Sequence, residues 1–552
     1  MEHVRLLIAI ALSFLVFFVW QLFFVDQQAI QQQTASSTPD AGSSAIQPQT
    51  PPIALPAPVA AAPQAAPSQP ARNARIIKID TPLYTVSISE NGAVFDSFIL
   101  KDYRKTVNPD SPQFQMISDT VGGKNLKLSM TANSIEGLNQ AVFTASADRD
   151  HISLTDQPQQ IVFSWRNAAG IQVDKIFAFD PKTYLIQMSV RLANGSATAI
   201  DDQWVVALAH QEQAGKSRAY GFEGPSALIN GKLEQINVKD LDEKNVYTGK
   251  INWLAIQTRY FMSAILPESQ VDAGIRLNLS TADVLSNDYV SETMSVAGGA
   301  QSEMKFHLFF GPKSMRILSA MPNQLEKAVN FGMFDILAKP CLWLMNFIYG
   351  FIPNYGIAII LLTILIKLIF WPLGNKSYKS MSEMKKLQPL IKDLKDKYGS
   401  DKRKMNEETM KLYRTYKVNP MGGCLPMVVQ IPVFFALYRM LYEAIELRHA
   451  PFFGWINDLS APDRLFHFSF SIPMMEPPYG IPVLTIIMGA TMFLQQKMSP
   501  PMGDATQAKM MMFMPIIFTV IFINFSSGLV LYWLVNNVLS ISQQYYVQKK
   551  TA

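Results

Sequence analysis

Lys367 is the residue whose setting most plainly calls for chemistry. It lies in the run Ile359-Ile360-Leu361-Leu362-Thr363-Ile364-Leu365-Ile366-Lys367-Leu368-Ile369-Phe370-Trp371, where Thr363 is the only other polar side chain. If that run crosses a bilayer, an unpaired ammonium near the centre costs roughly 2.5–3.5 kcal/mol, so something must hydrate or pair it. Two readings compete. The four-carbon stem can snorkel to the headgroups, because Leu373 is only six residues further on. Alternatively the cation occupies a water-filled pocket between helices, with Thr363 one turn back and Gln430, Gln495, Asn536 and Asn537 as polar residues in other apolar runs. No carboxylate belongs at that depth, since Glu443 and Glu446 fall at the opposite face. A cation in a pocket without a resident anion implies that the anion arrives with a ligand.

Nothing else in the chain spells a catalytic constellation. His151, His210 and His307 are far apart along a strand-rich segment, and the only cysteines are Cys341 and Cys424. Neither metal-ligand spacing nor a local thiol pair is offered. The expectation is a protein without catalytic residues, metal or cofactor.

The elements that must hold Lys367 follow from composition. Of 552 residues 49% are hydrophobic and 16% charged, against a usual charged share of about 25%. That describes a membrane protein with a soluble part, and excludes a disordered chain, a coiled-coil rod or a disulfide scaffold. The net charge of +5 is too small to argue for direct nucleic-acid binding. Residues 6–25 are apolar apart from Ser13 and Gln21 and end without a small-x-small cleavage site, so 1–26 reads as an uncleaved transmembrane anchor. Residues 27–73, rich in Pro, Ala and Gln, read as a tether. From 74 to 315 the period becomes two, as in Tyr84/Val86/Ile88, Ile161/Phe163/Trp165 and Ile186/Met188/Val190/Leu192, with Asn91-Gly92 and Asn194-Gly195 as turns. This predicts a large antiparallel β-sandwich, a binding or scaffolding domain or, less simply, a glycan-active one.

In 316–354, Leu325, Val329, Met333 and Ile336 form one stripe, predicting an amphipathic helix at the membrane surface. It is followed by an apolar stretch, 341–352, too short to cross and closed by Pro353-Asn354, which reads as re-entrant. Spans are expected at 355–373, 425–443, 479–496, 510–524 and 528–546, six with the anchor, and Met514-Pro515 predicts a kink or early break. Lys and Arg set the orientation. The 374–420 loop holds 13 of them against 6 Asp and Glu, whereas the 446–478 loop holds only Arg448 and Arg464. Both termini are then cytoplasmic and the β domain lies in the periplasm. The 374–420 segment reads as a basic helical hairpin, turning at Gly399-Ser400-Asp401. Its Lys385, Lys386, Lys392 and Lys395 either keep a solvated hairpin on the cytoplasmic side or dock ribosomes, lipid headgroups or nascent chain. The remaining segment, 421–552, holds four spans and a short tail. Nineteen of the 28 methionines follow residue 330, and such soft side chains suit either ordinary span packing or a surface that accepts many apolar partners.

Several segments together resemble one family. These are Pro420-Met421-Gly422-Gly423-Cys424-Leu425-Pro426, Gln430-Ile431-Pro432, Phe434-Phe435-Ala436-Leu437-Tyr438, Glu446-Leu447-Arg448-His449-Ala450-Pro451-Phe452, Gln495-Gln496-Lys497-Met498-Ser499-Pro500 and Ser527-Gly528-Leu529-Val530-Leu531-Tyr532-Trp533. They look like the YidC/Oxa/Albino insertases, in the Gram-negative form with a large periplasmic β-supersandwich and a five-helix core. The resemblance implies a membrane protein insertase and chaperone of the bacterial inner membrane, not an enzyme. It implies a groove in which a basic residue, usually Arg and here Lys367, draws in the polar part of a nascent chain beside Thr363, Gln430 and Gln495. It implies an apolar slide of Ile431, Pro432, Phe434, Ile521, Phe522, Tyr532 and Trp533. Implied partners are nascent integral membrane proteins, the Sec translocon (SecYEG, SecDF), translating ribosomes with the signal recognition pathway, and membrane lipids. Lys in place of Arg keeps the charge and loses the planar fork. A transporter is the rival class, disfavoured because no inverted repeat of spans is visible.

Overall fold

The computed structural model describes residues 74–117, 125–211, 221–281, 283–399, 401–416, 418, 425–499 and 505–551. The expected anchor, the tether and the Pro420-Met421-Gly422-Gly423-Cys424 motif lie outside the described residues. The described chain divides into two compact units, with the boundary in sequence between Val329 and Asn330.

In the first unit the period of two becomes a sandwich. Along the strand Leu185–Asn194, Ile186, Met188, Val190 and Leu192 are buried while Gln187 and Arg191 are exposed, as alternation across a pleated strand requires. That strand pairs antiparallel with Ile171–Phe179 and Gln301–Pro312 in a thirteen-stranded sheet. A five-stranded sheet containing Tyr84–Ser89 and Val94–Arg104 covers it. Aromatic rings join the layers: Phe95 lies 5.3 Å from Phe177 and 5.4 Å from Phe310, and Phe98 stacks on Phe310 at 5.1 Å. The Asn91-Gly92 turn between the two strands of the smaller sheet holds Gly92 at φ 79°, a conformation that glycine adopts without strain.

Two charged groups inside this unit are fully hydrogen-bonded. Lys175, fully buried, donates to the carbonyls of Gly92 (3.2 Å), Ala93 (2.5 Å) and Leu126 (2.7 Å). Burial pushes its ammonium down to about 7, while three carbonyl acceptors favour the charged form. Glu90, also fully buried, accepts from Arg75 N and Nη2 and from Ala145 N at 3.0–3.1 Å. Burial raises that carboxyl, yet these donors and the guanidinium charge hold it below the usual carboxylate range.

The stripe expected on one surface helix is divided. Leu325 and Val329 are buried at the edge of the β unit, in and just after a short 3-10 turn, Leu325–Ala328. Asn323 there donates to the carbonyls of Asn252 and Pro267 at 2.9 and 2.8 Å. Met333 and Ile336 belong to the second unit and are 74% and 85% exposed. Extended backbone at Val329 breaks the helical period between them.

The second unit is helical: α1 Asp335–Phe351, α2 Tyr355–Ile369, α3 Trp371–Tyr398, α4 Lys402–Thr415, α5 Leu425–Glu443, α6 Val483–Met498, α7 Ala505–Ile521 and α8 Ser527–Thr551. Helix α8 is the hub, packing on α2, α3, α5 and α6; α7 lies on α6, and α1 on α2 and α5. Gly489 sets the α6–α7 approach, since a Cβ there would meet the Thr519 side chain. Among the described residues α5 and α7 share little direct packing, and both border Trp533 of α8, which meets Phe434 on α5 and Phe522 just after α7; this border is the α5–α7 seam.

Two expected spans differ in outline. The 355–373 run is not one helix. It bends by 66° between α2 and α3, where Pro372, in the first turn of α3, has no N–H to continue the ladder and its ring would strike the carbonyl one turn back. The 479–496 run opens with a strand, Tyr479–Ile481, paired antiparallel with Leu465–Phe468, and becomes helical only at Val483. No single described helix is long and apolar enough to cross a membrane, although α2 and α3 together meet that test as a bent pair.

Candidate functional site

The polar centre is built on α8. Asn536, Ser540 and Gln543 recur at helical spacing, with Asn537 and Gln544 on the adjoining line, so one stripe of an otherwise apolar helix is polar. The facing helices bring partners to it. Lys367 on α2 donates from Nζ to Ser540 Oγ at 2.7 Å, and Ser540 Oγ donates to the Asn536 carbonyl at 2.7 Å. Gln430 on α5 donates to Asn536 Oδ1 at 3.2 Å, and Asn537 donates to Thr491 Oγ1 on α6 at 3.3 Å. Toward the end of α8, Gln543 donates to the Trp371 carbonyl (3.0 Å) and to Asn375 Oδ1 (2.9 Å), at the start of α3. Gly374 makes room, because a Cβ there would run into the Gln543 amide.

Lys367 is half-buried, and among the described residues no carboxylate lies within ion-pairing distance of it. An ammonium has three protons. Ser540 takes one, and the site can offer the others to an incoming anion or to water. Thr363 stands apart: it is 2% exposed and its hydroxyl donates to the Ile359 carbonyl at 2.6 Å within its own helix. Gln495, half-buried on α6, has no side-chain hydrogen bond among the described residues. The cluster thus joins Lys367 and Gln430 through α8 and leaves Thr363 and Gln495 outside that hydrogen-bonded set.

The apolar residues expected to form a slide meet at the α5–α7 seam. Trp533 packs edge-on against Phe434 and Phe522, each at 4.7 Å, and Phe434 stacks toward Tyr532 at 6.5 Å. Exposure divides them. Ile431 and Ile521 are 39% and 48% exposed, whereas Phe522 and Tyr532 are each 3% exposed. Pro432 is exposed, and Phe434 and Trp533 are half-buried. Phe522 and Tyr532 therefore lie behind the surface, which is made by Ile431, Pro432, Ile521 and parts of Phe434 and Trp533.

Sequence reading missed Ser540, Gln543 and Gln544. Their signal was present as the continuation, at helical spacing, of Asn536 and Asn537, in a stretch that also reads as approach to a polar tail.

Helices α3 and α4 close on Met384, Leu387 and Val418, with Ile391 and Tyr413 packed beside them. Asp401 caps α4 by accepting from Arg403 N and Lys404 N at 3.1 Å. Lys385, Lys386, Lys392 and Lys395 are all exposed on α3.

The helical unit thus holds a half-buried cation facing a polar stripe on α8, with an apolar cluster beside it. Comparison with known proteins defines the class. Residues 76–344 match the YidC periplasmic domain, and residues 347–552 match the 60Kd inner membrane protein family. The membrane protein insertase YidC of Syntrophobacter fumaroxidans is 42% identical over 477 residues, 85% of this chain and 86% of that protein. That of Syntrophus aciditrophicus is 38% identical over 558 residues, 99% of each chain. A crystal structure of an active YidC insertase with its first transmembrane domain resolved aligns over 86% of this chain and 93% of that one, at 19% identity and a TM-score of 0.38. This is a membrane protein insertase of the bacterial inner membrane, with a periplasmic domain, and its class is not enzymatic. The chain belongs to the YidC family.

Proposed function

We propose that this insertase receives the polar flank of a nascent membrane protein at Lys367 and passes its apolar helix out along the α5–α7 seam. The observation that carries the reading is the Lys367 ammonium, held by Ser540 Oγ at 2.7 Å in an apolar helix without a carboxylate partner among the described residues. An acidic flank supplies the missing charge. Transfer of the guest helix into lipid supplies the driving force, at about 0.8 kcal/mol per buried CH₂, and no covalent bond changes.

Six spans, counting the 1–26 anchor, place both termini in the cytoplasm and the β unit in the periplasm. Helix length supports a thinned barrier: α2 has 15 residues and α6 has 16, roughly 22–24 Å at 1.5 Å per residue, against a hydrocarbon core of about 30 Å. A short span thins the bilayer around it, which shortens the path of the polar flank. The basic hairpin docks ribosomes delivered by the signal recognition pathway or anionic headgroups. The insertase acts alone or with the Sec translocon (SecYEG, SecDF).

The test is insertion into reconstituted vesicles of two clients that differ only in an acidic or a neutral translocated tail. Lys367→Ala should slow the acidic-tail client and spare the neutral one. Equal rates for wild type and Lys367→Ala on the acidic-tail client would return Lys367 to snorkelling and leave the groove to work by hydration and thinning alone.

A further inference from the structure

Between α5 and α6 the chain makes a hairpin from the strands Leu465–Phe468 and Tyr479–Ile481. Its surface is the wrong kind for water. Phe466 is 66% exposed, Phe470 62% and Met474 74%, and the rings of Phe468 and Phe470 stack at 5.2 Å, nearly parallel. Across 465–481 the only ionisable side chains besides Tyr479 are His467 and Glu476, with no Lys or Arg. An exposed apolar patch of this kind marks an interaction surface.

The hairpin is held firmly. Arg464, 7% exposed, donates to the carbonyls of Pro478 (3.0 Å) and Ile523 (2.8 Å) and to Asn524 Oδ1 (3.3 Å). Asn524 in turn accepts from Glu476 N and donates to the Met474 carbonyl, both at 2.9 Å. Asp463 accepts from Leu484 N at 2.8 Å and Thr485 Oγ1 at 3.2 Å, at the first turn of α6. The exposed residues are thus bolted to the start of α6 and to the turn that ends α7. They continue the outward apolar faces of those helices, where Ile486 and Ile517 are 50% and 48% exposed.

We infer that this hairpin is a lipid-dipping element that seats Phe466, Phe470 and Met474 in the outer leaflet and fixes the depth of the α6 and α7 ends. The inference rests on the membrane-spanning reading of α6 and α7 proposed above. Continuity with their lipid-facing sides names lipid as the occupant, and the scarcity of charge means that zwitterionic lipid suffices. Phenylalanine side chains on an apolar face bury about 5–10 Å into the headgroup–acyl boundary.

The test uses the full chain in phosphatidylcholine vesicles, with Cys341 and Cys424 replaced by serine and a bimane probe on Phe470→Cys or, as a reference, on Ile517→Cys. Expected are blue-shifted emission at both positions and loss of most of it to nitroxide-bearing lipid but not to aqueous iodide. Adding Phe466→Ser and Met474→Ser should reduce the lipid quenching at 470 and leave 517 unchanged. Lipid quenching at 517 with iodide quenching at 470 would overturn the hairpin inference alone. Iodide quenching at both would overturn the spanning reading with it. Shielding of 470 from both quenchers would assign the surface to protein contact and also overturn the inference.

Discussion

Two lysines in this molecule leave water in opposite ways. Lys175 in the β unit is fully buried and meets three backbone carbonyls, so every ammonium proton has an acceptor. Lys367 in the helical unit is half-buried and meets one hydroxyl. Lys175 lies on a strand that also carries Gln172 and Asp174, and Lys367 on an almost wholly apolar helix, but neither that nor the degree of burial says which cation is available to a ligand. Saturation does: a satisfied buried cation tightens a fold, whereas one with protons to offer, beside an open seam, can take a guest.

The contrast breaks most visibly at Lys367→Glu. With like charge facing the incoming flank, insertion of the acidic-tail client should fall by more than tenfold, which is about 1.4 kcal/mol on the barrier, while Lys367→Arg keeps the wild-type rate. Melting of the β unit should be unchanged in both variants.

Lys175→Met gives the converse. It orphans the carbonyls of Gly92, Ala93 and Leu126, and each unpaired buried acceptor costs roughly 1–3 kcal/mol, so denaturant unfolding of the β unit should shift to lower concentration. Insertion by the helical unit should persist in protein that remains folded. Loss of insertion without loss of β-unit stability would reverse the roles assigned to the two lysines.

A pH series sharpens the pair. With Lys175 pushed down to about 7 in the fold and near the ordinary 10.4 when unfolded, the unfolded chain binds more protons between those values. β-unit stability should therefore rise with pH through that window and be flat below it with respect to this group. The rise should vanish in Lys175→Met; its survival there would assign it to another group.

The smallest effect is expected at the hairpin. Reversing charge at Lys385, Lys386, Lys392 and Lys395 should weaken ribosome or vesicle cosedimentation at low salt and matter less at physiological salt, where exposed charges are screened within about 8 Å. Unchanged cosedimentation at low salt would remove the docking role.

Much of this was legible in residue order. Alternation at Ile186, Met188, Val190 and Leu192 marks a half-buried strand, and the 425–443 run matches α5 because its apolar stretch and its helix have the same limits. Lys367 stood out because charge in an apolar run is costly wherever it occurs. Other features depend on tertiary contacts that periodicity does not encode. Phe522 and Tyr532 read like Ile431 and Ile521, yet whether an aromatic faces lipid or its own bundle depends on the rotation of each helix about its axis. The strand-like alternation Phe466/Phe468/Phe470 was present but short, and its partner at Tyr479–Ile481 follows a Pro-rich stretch that reads as loop. Pro372 marks the bend after α2, but the apolar run continues on both sides of it, so hydropathy alone reads through the break.

The most direct test of the receiving seam is photo-crosslinking from single positions to ribosome-held nascent chains. Probes at Ile431 and Ile521, 39% and 48% exposed, should capture the apolar segment of the client, and a probe at Tyr532, 3% exposed, should not. Capture at Tyr532 with none at Ile431 or Ile521 would contradict the account.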